Sequence, residues 1–289
     1  MDRPPASAIL RCYMNWLALA GLPEFPSGAV QAIRDAEYDG IQFVDPVARP
    51  ALEEAQNFGL RVCGSGRVNQ PADAERLAAA GRADGLESLT LHVGWGTEDD
   101  AEAARLIGAV LDASAKHAIP LYPETHRATI FQDMWRTVHF IKRFPQLRFN
   151  GDFSHWYTGS EMVYGDFAKK VEFIRPVLEN VRFLHGRIGN PGCIQVDIGD
   201  GDLRRHPYVQ HFRTLWTAAF SGFLRTRAEN EAICFAAELL GPDIYYARTF
   251  NGREESDRWQ QSLLVVQIAR ECFAEAHAAH NGAGKRDLK

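Results

Sequence analysis

The sequence predicts an α/β fold, a single (β/α)8 or TIM barrel in which each of eight parallel strands is followed by a helix. Three observations lead to it. Eight short apolar runs alternate with eight stretches of helical spacing over 289 residues, and no linker-like composition interrupts them. The glycine-rich phosphate turn that a doubly wound open sheet carries after its first strand is missing. Finally, the fifth to eighth runs each end in a carboxylate or an imidazole. Such a barrel gathers groups of this kind at the C-terminal mouth of its strands.

The first strand is expected over 9–15 (Ile-Leu-Arg-Cys-Tyr-Met-Asn). Pro26-Ser27 opens a helix through Val30, Ile33 and Ala36 that closes near Asp39-Gly40. Residues 41–45 alternate as the second strand, which Pro46 ends. A helix over 51–58 stops at Gly59, where a C-terminal glycine belongs. The third strand covers 60–63, and an alanine-rich helix runs over 71–83, with Pro71 suited to its first turn. The fourth strand covers 86–93 and is followed by a helix over 98–118 with Thr97 as its cap. The fifth strand, 119–124, precedes a helix over 129–144 whose apolar positions are Ile130, Met134, Val138 and Ile141. The sixth strand covers 147–152, and the next helix, 166–178, is ended or kinked by Pro176. The seventh strand, 181–185, leads into an irregular segment, 186–206, and a helix over 207–224. The eighth strand covers 232–238 and the closing helix 258–278. The barrel thus spans 1–280, leaving 281–289 as a polar, frayed tail.

Composition narrows the function. A hydrophobic fraction of 46% supports a large buried core. The net charge of −5 is spread without a basic block, which argues against general nucleic-acid binding. No run approaches the ~18–20 apolar residues of a membrane helix, and Met1 to Leu10 lack the apolar core of a signal peptide. Five scattered cysteines, with Cys12, Cys63 and Cys234 inside apolar runs, read as reduced core thiols. A cytoplasmic protein is the expectation.

The chemistry lies at four strand ends. Leu147-Arg-Phe-Asn-Gly-Asp-Phe-Ser-His155 delivers Asp152 and His155; Leu121-Tyr-Pro-Glu124, Val181-Arg-Phe-Leu-His185 and Ala232-Ile-Cys-Phe-Ala-Ala-Glu238 deliver the others. A lone acidic residue after a strand is often a helix cap. Glu124, Asp152, His185 and Glu238 converging on one mouth are another matter, because three packed carboxylates repel unless a cation sits among them. Oxygen ligands with one imidazole suit one divalent metal, Mn2+ or Mg2+ first, with Co2+ or Zn2+ as further options.

The set Glu124, Asp152-x-x-His155, His185-x-Arg187 and Glu238 resembles the xylose isomerase-like sugar isomerase/epimerase superfamily, over nearly the whole chain. In its ketose 3-epimerase branch two glutamates bind the metal and also exchange the substrate proton. The resemblance therefore implies catalytic roles for Glu124 and Glu238, with Asp152 and His185 as pure ligands. It likewise implies that His155 contacts a substrate oxygen, and Arg187 is placed to hold a developing oxyanion. A metal-polarised carbonyl acidifies its neighbouring C–H, and carboxylates on opposite faces of the planar enediolate can exchange the proton.

The same intermediate serves lyases, so elimination from a keto-glycoside or keto-inositol is the alternative reading, and a non-catalytic ligand-binding barrel is a second. Asp45 is the nearest match to the glutamate that sugar epimerases tend to carry at the end of strand two. The apurinic endonuclease branch is set aside, although His92 matches one of its zinc ligands. Strand three ends in Cys63-Gly-Ser-Gly66 without a histidine, and the expected Asp-x-His beyond strand seven is absent. His92 otherwise reads as a satisfied core histidine, with substrate contact as its second role. His126, which otherwise starts a helix, and Trp156 complete the substrate-contact candidates, Trp156 (with Trp16 and Trp95) either as an aromatic wall for a sugar face or as packing against neighbouring loops. Arg187 pairing with Asp197 is the alternative to a ligand contact. A small carbohydrate is the expected partner, and barrels of this kind often pair as homo-oligomers through helices or rim loops.

Overall fold

Strand pairing closes almost the whole circle. The structure, a computed structural model, describes residues 9–21 and 28–284. Its strands are β1 (Ile9–Asn15), β2 (Gly40–Val44), β3 (Arg61–Val68), β4 (Leu89–Val93), β5 (Leu121–Pro123), β6 (Phe149–Gly151), β7 (Val181–Gly186) and β8 (Ala232–Ala237). All pair in parallel, in the order β5-β4-β3-β2-β1-β8-β7-β6. A single bridge between Glu124 and Asn150 joins β5 to β6, with Thr125 N donating to Asn150 O at 3.1 Å. The chain is a (β/α)8 barrel.

The helices packed outside are α1 (Ala29–Asp35), α2 (Arg49–Asn57), α3 (Pro71–Ala83), α4 (Asp100–His117), α5 (Met134–Arg143), α6 (Phe153–Gly159), α7 (Phe167–Phe173), α8 (Arg175–Leu178), α9 (Pro207–Thr226) and α10 (Arg258–Gly284). None of the described helices is long and apolar enough to cross a membrane. Several boundaries differ from expectation for local reasons. Helix α4 is capped by Asp99, whose carboxylate accepts from Glu102 N at 2.8 Å, and not by Thr97. Helix α5 starts only at Met134, because Asp133 caps it and the preceding 129–132 form turns. Pro176 falls in the first turn of α8, so the stretch 166–178 splits into α7 and α8. Helix α6 was not anticipated. Asp152 ends the sixth run and also caps this helix, accepting from Ser154 N at 3.0 Å. Helix α10 continues to Gly284, past the point where the tail was expected. Pro26-Ser27 and 285–289 lie outside the described residues. A two-stranded ribbon, β9 (Thr249–Phe250) with β10 (Arg253–Glu254), sits in the connection from β8 to α10.

Inward-facing side chains alternate along each strand and fill the barrel in tiers. The lower tier is an apolar plug of Tyr13, Cys63, Phe183, Cys234 and Ala236, with Tyr122 packed against it. Above it Gln42, Thr90 and Asn150 form a buried amide–hydroxyl tier: Gln42 Nε2 and Asn150 Nδ2 both donate to Thr90 Oγ1, at 3.1 and 3.0 Å. The tier above that carries the ionisable groups. An apolar floor leaves those groups little water to turn to, which raises the stakes of pairing them.

Candidate metal centre

Each of Glu124, Asp152, His185 and Glu238 offers a ligand atom, and these atoms lie within 4.8 Å of one another. Strand geometry explains the meeting. Glu124 and Asp152 directly follow the short strands β5 and β6, His185 is the penultimate residue of β7, and Glu238 follows β8. Glu124, Asp152 and His185 are buried, whereas the Glu238 side chain keeps 12% exposure. The candidate acid–base carboxylate nearer solvent is thus Glu238.

Polar neighbours orient this set. His185 Nε2 lies 2.9 Å from Gln42 Oε1. An amide oxygen only accepts, so Nε2 carries a proton and Nδ1 turns to the carboxylates, 3.2 Å from Glu238 Oε2 and 3.4 Å from Glu124 Oε2. Asn15 locks the other side: its Nδ2 donates to Gln42 Oε1 at 3.0 Å and to Glu238 Oε1 at 2.9 Å, while its Oδ1 accepts from Leu17 N. Arg187 Nη2 pairs with Asp152 Oδ2 and, at 3.0 Å, with Glu238 Oε2; its Nε donates to Ser154 Oγ at 3.1 Å.

Burial alone would raise the Glu124 carboxyl, but His92 and His185 outweigh it and hold it well below the usual carboxylate range. Asp152 is likewise driven down, burial being overcome by Arg187 and then His155. For His185, burial opposes protonation, yet the facing Glu238 and Glu124 push it up to about 10. In the protein alone, then, a proton on His185 and the Arg187 guanidinium offset two of the three carboxylate charges.

Do these residues fit a divalent cation? Two buried atoms of the set, Glu124 Oε1 and His185 Nδ1, have no hydrogen-bond partner. A buried carboxylate oxygen left without a donor is costly unless something positive meets it. Three carboxylates and one imidazole whose second nitrogen is held by an amide make a donor set suited to a hard or borderline divalent ion. The residues fit.

A neighbouring trio, His92, Glu124 and His126, also has its ligand atoms within 4.8 Å. It fits less well. His126 Nδ1 accepts from Ala128 N at 3.0 Å, and His92 Nδ1 lies 3.4 Å from Arg67 Nη2, which can only donate. Both rings therefore carry their proton on Nε2, the atom each would need for a metal.

The sequence matches no family model and no curated protein. Solved structures do match. A D-tagatose 3-epimerase-like protein superposes with a TM-score of 0.58 at 10% identity, covering 92% of this chain and 98% of its own. The probable 3-DHS dehydratase AsbF of Bacillus anthracis gives 0.56 at 13%, covering 89% and 97%. A xylose isomerase-like TIM barrel protein from Mycobacterium smegmatis, solved in complex with magnesium, gives 0.53 at 14%, covering 84% and 88%. The fold is that of the xylose isomerase-like barrels.

Within the barrel the remaining sequence candidates separate. His155 is buried beside the cluster, 3.4 Å from Asp152 Oδ2 and 3.7 Å from Glu124 Oε1, and burial lowers its pKa. His92 reaches Glu124 Oε2 at 3.0 Å, so it orients a site residue where a satisfied core histidine was expected. His126 packs between His92 and His155, ring centroids 4.3 and 3.9 Å away, and burial pushes it down to about 2. Trp156 takes the packing alternative: it is fully buried, donates Nε1 to Phe131 O at 3.0 Å and packs on Phe153. Of the other two tryptophans, Trp16 packs on Phe43 and Trp95 is exposed beneath the Arg67 guanidinium. Asp45 is corrected: it pairs with Arg76 at the surface, and the strand-two position facing the site is Gln42. Asp197 accepts from Gly199 N and leaves Arg187 to Asp152.

Sequence reasoning missed Asn15, Gln42, Thr90, Ser154 and Tyr246. Tyr246 lies in the β8–α10 connection with the Arg187 guanidinium 4.5 Å from its ring centre. The only sequence signal for Asn15 was its place at a strand end.

Proposed function

We propose that this chain is a divalent-metal-dependent enzyme that moves a proton beside a carbonyl of a sugar or sugar-like polyol, giving isomerisation or epimerisation. The observation that carries the reading is the strand-end cluster of Glu124, Asp152, His185 and Glu238, with the buried Glu124 Oε1 left without a hydrogen-bond partner. All four would hold the metal, Mn2+ or Mg2+ first. When bound, the metal would offset negative charge growing on a substrate oxygen and so acidify the adjacent C–H. Glu124 and Glu238 remove and return the proton, on opposite faces of the enediolate. Asn15 and Arg187 keep Glu238 aimed, and His155 with Arg187 hold a substrate oxygen. His92 contributes by fixing the rotamer of Glu124.

Elimination is the second reading. It needs the same proton abstraction and differs only in a leaving group β to the carbanion; the structural neighbours include one named as an epimerase-like protein and one as a dehydratase. Product analysis separates them, since an unsaturated or cleaved product means lyase.

The test starts with metal content. Purified protein should carry about one equivalent of divalent metal, and Asp152→Asn should lose most of it. Asparagine is preferred to alanine because it keeps a partner for the buried Arg187. Glu238→Gln should abolish turnover while leaving the unfolding transition in place; full activity in that variant would sink the acid–base assignment. Failure of the wild type to bind Mn2+ or Mg2+ after reconstitution would leave a non-catalytic barrel as the better account.

A further inference from the structure

Several hydrogen-bond donors gather on the His126 side of the cluster. The first belongs to His126. Its ring is clamped between His92 and His155, at 4.3 and 3.9 Å between centroids, and its Nδ1 is occupied by the Ala128 N–H at 3.0 Å. A ring nitrogen that accepts a backbone N–H holds no proton, so the proton of the ring sits on Nε2. Nε2 lies 3.4 Å from the Tyr246 hydroxyl. The hydroxyl oxygen therefore accepts from His126, and the one phenolic proton is not used there. Among the described residues Tyr246 Oη has no second hydrogen-bond partner.

Two guanidinium groups lie over the same tyrosine ring, Arg187 at 4.5 Å and Arg127 at 5.5 Å from its centre. Arg187 is 1% exposed, and its Nη1 is a buried donor with no partner. Arg127 is exposed, and among the described residues no carboxylate lies within ion-pair distance of it. Arg67, on the other side of His92, spends its donors on Gly94 O and Ala128 O, and among the described residues no carboxylate lies within ion-pair distance of it.

Charge points the same way. Glu124, Asp152 and Glu238 with Arg187 leave two negative charges, which a divalent cation would cancel. The arginines at the rim are then in excess. A neutral polyol hydroxyl could take one of the donors described above, but it would leave a positive surplus at the mouth. A carboxylate only accepts and carries the missing charge.

We propose that Tyr246, Arg187 Nη1 and Arg127 form a subsite for a carboxylate, and that the substrate is a keto-polyol acid, a sugar acid in place of a neutral sugar. This rests on the function proposed above for the existence of a carbonyl to be polarised; the carboxylate subsite itself rests on these donors. Tyr246 touches the carboxylate, and His126 acts through Tyr246 as a positioning residue that sets the direction of its proton.

The experiment compares a matched pair of probes, D-fructuronate and D-fructose, titrated calorimetrically into the Mn2+-loaded protein. The acid should bind at least about tenfold more tightly, the size of one charge-assisted hydrogen bond. Tyr246→Phe and Arg127→Ala should each reduce that preference while leaving Mn2+ content and the thermal transition unchanged. Equal binding of the two probes, or a preference that survives both substitutions, would overturn the subsite. In parallel, 15N chemical shifts of His126 should show a protonated Nε2 and a bare Nδ1. The opposite tautomer would turn the Tyr246 proton towards His126 and overturn its donor role. A wild type that takes up no Mn2+ refutes the proposed function instead; the His126 tautomer, read without metal, still decides the donor direction.

Discussion

At the scale of residues, the centre works through hydrogen bonds that decide which lone pairs are left over. Gln42 is the clearest case. Its amide oxygen takes the His185 Nε2 proton and the Asn15 amide, so the imidazole can offer only Nδ1 to the carboxylates. With its pKa pushed up to about 10 by Glu238 and Glu124 against the opposing effect of burial, Nδ1 is protonated at neutral pH in the protein alone. The sign follows. A raised pKa means His185 stabilises the fold fully below its unfolded value of ~6.5, and that contribution fades as pH climbs towards about 10. Metal uptake must displace this proton. Binding of Mn2+ in weak buffer at pH 7 should release about one proton per metal, and affinity should rise with pH up to the His185 pKa. Gln42→Leu should weaken metal binding by roughly 10–100-fold, as loss of such orienting partners does. Uptake without proton release would mean that His185 is not a ligand.

At the scale of elements, β7 shows how a strand end is shaped to deliver two side chains. His185 and Arg187 are two residues apart, both buried in the site, with Gly186 between them on the outer face. A Cβ at Gly186 would press into the Phe235 ring and Val265. Neither neighbour is the flexible end of a long chain. Gly186→Ala should therefore cost about 1–3 kcal/mol, the usual toll of overpacking, and should disturb metal affinity as well because the strand must shift to make room. Urea denaturation of the metal-free protein against Mn2+ titration separates the two effects. A variant with unchanged stability would show that the strand has slack here. Element order, the meeting of Glu124, Asp152, His185 and Glu238 and most helices were legible from apolar period and from acidic or imidazole groups ending a strand. Gln42 was not, because in Ile41-Gln-Phe-Val a polar residue between apolar ones looks solvent-facing, whereas a barrel with a polar inner tier reverses that sense. Helix α6 hid for a similar reason: one residue, Asp152, ends the sixth run and caps the helix. Tyr246 reaches the site from an irregular connection, where no period exists to place it.

On the scale of the whole molecule, the barrel has one weak seam. β5 and β6 are three residues each and meet through a single bridge, while β1 and β8 share a six-residue register. The seam carries Glu124 on one lip and Asp152 two residues past Asn150 on the other. A cation held by both lips would resist their separation. Hydrogen exchange at Thr125 N, the donor across the seam, should slow on addition of Mn2+ by much more than exchange in β1 or β8. Global stability should rise by about 2.7 kcal/mol at a hundredfold excess over Kd. Equal slowing everywhere would place the metal's effect on global unfolding alone.

The seam also has a consequence for the chain as it is made. Glu124, Asp152 and His185 leave the ribosome in that order, but Glu238 comes last, on the strand that also pairs with β1. Until that final strand emerges, the three earlier candidate ligands lie on an open sheet without the fourth. Loading with metal would thus be a late event in biosynthesis, and a full complement of metal would report that β1 has found its partner more than 200 residues downstream.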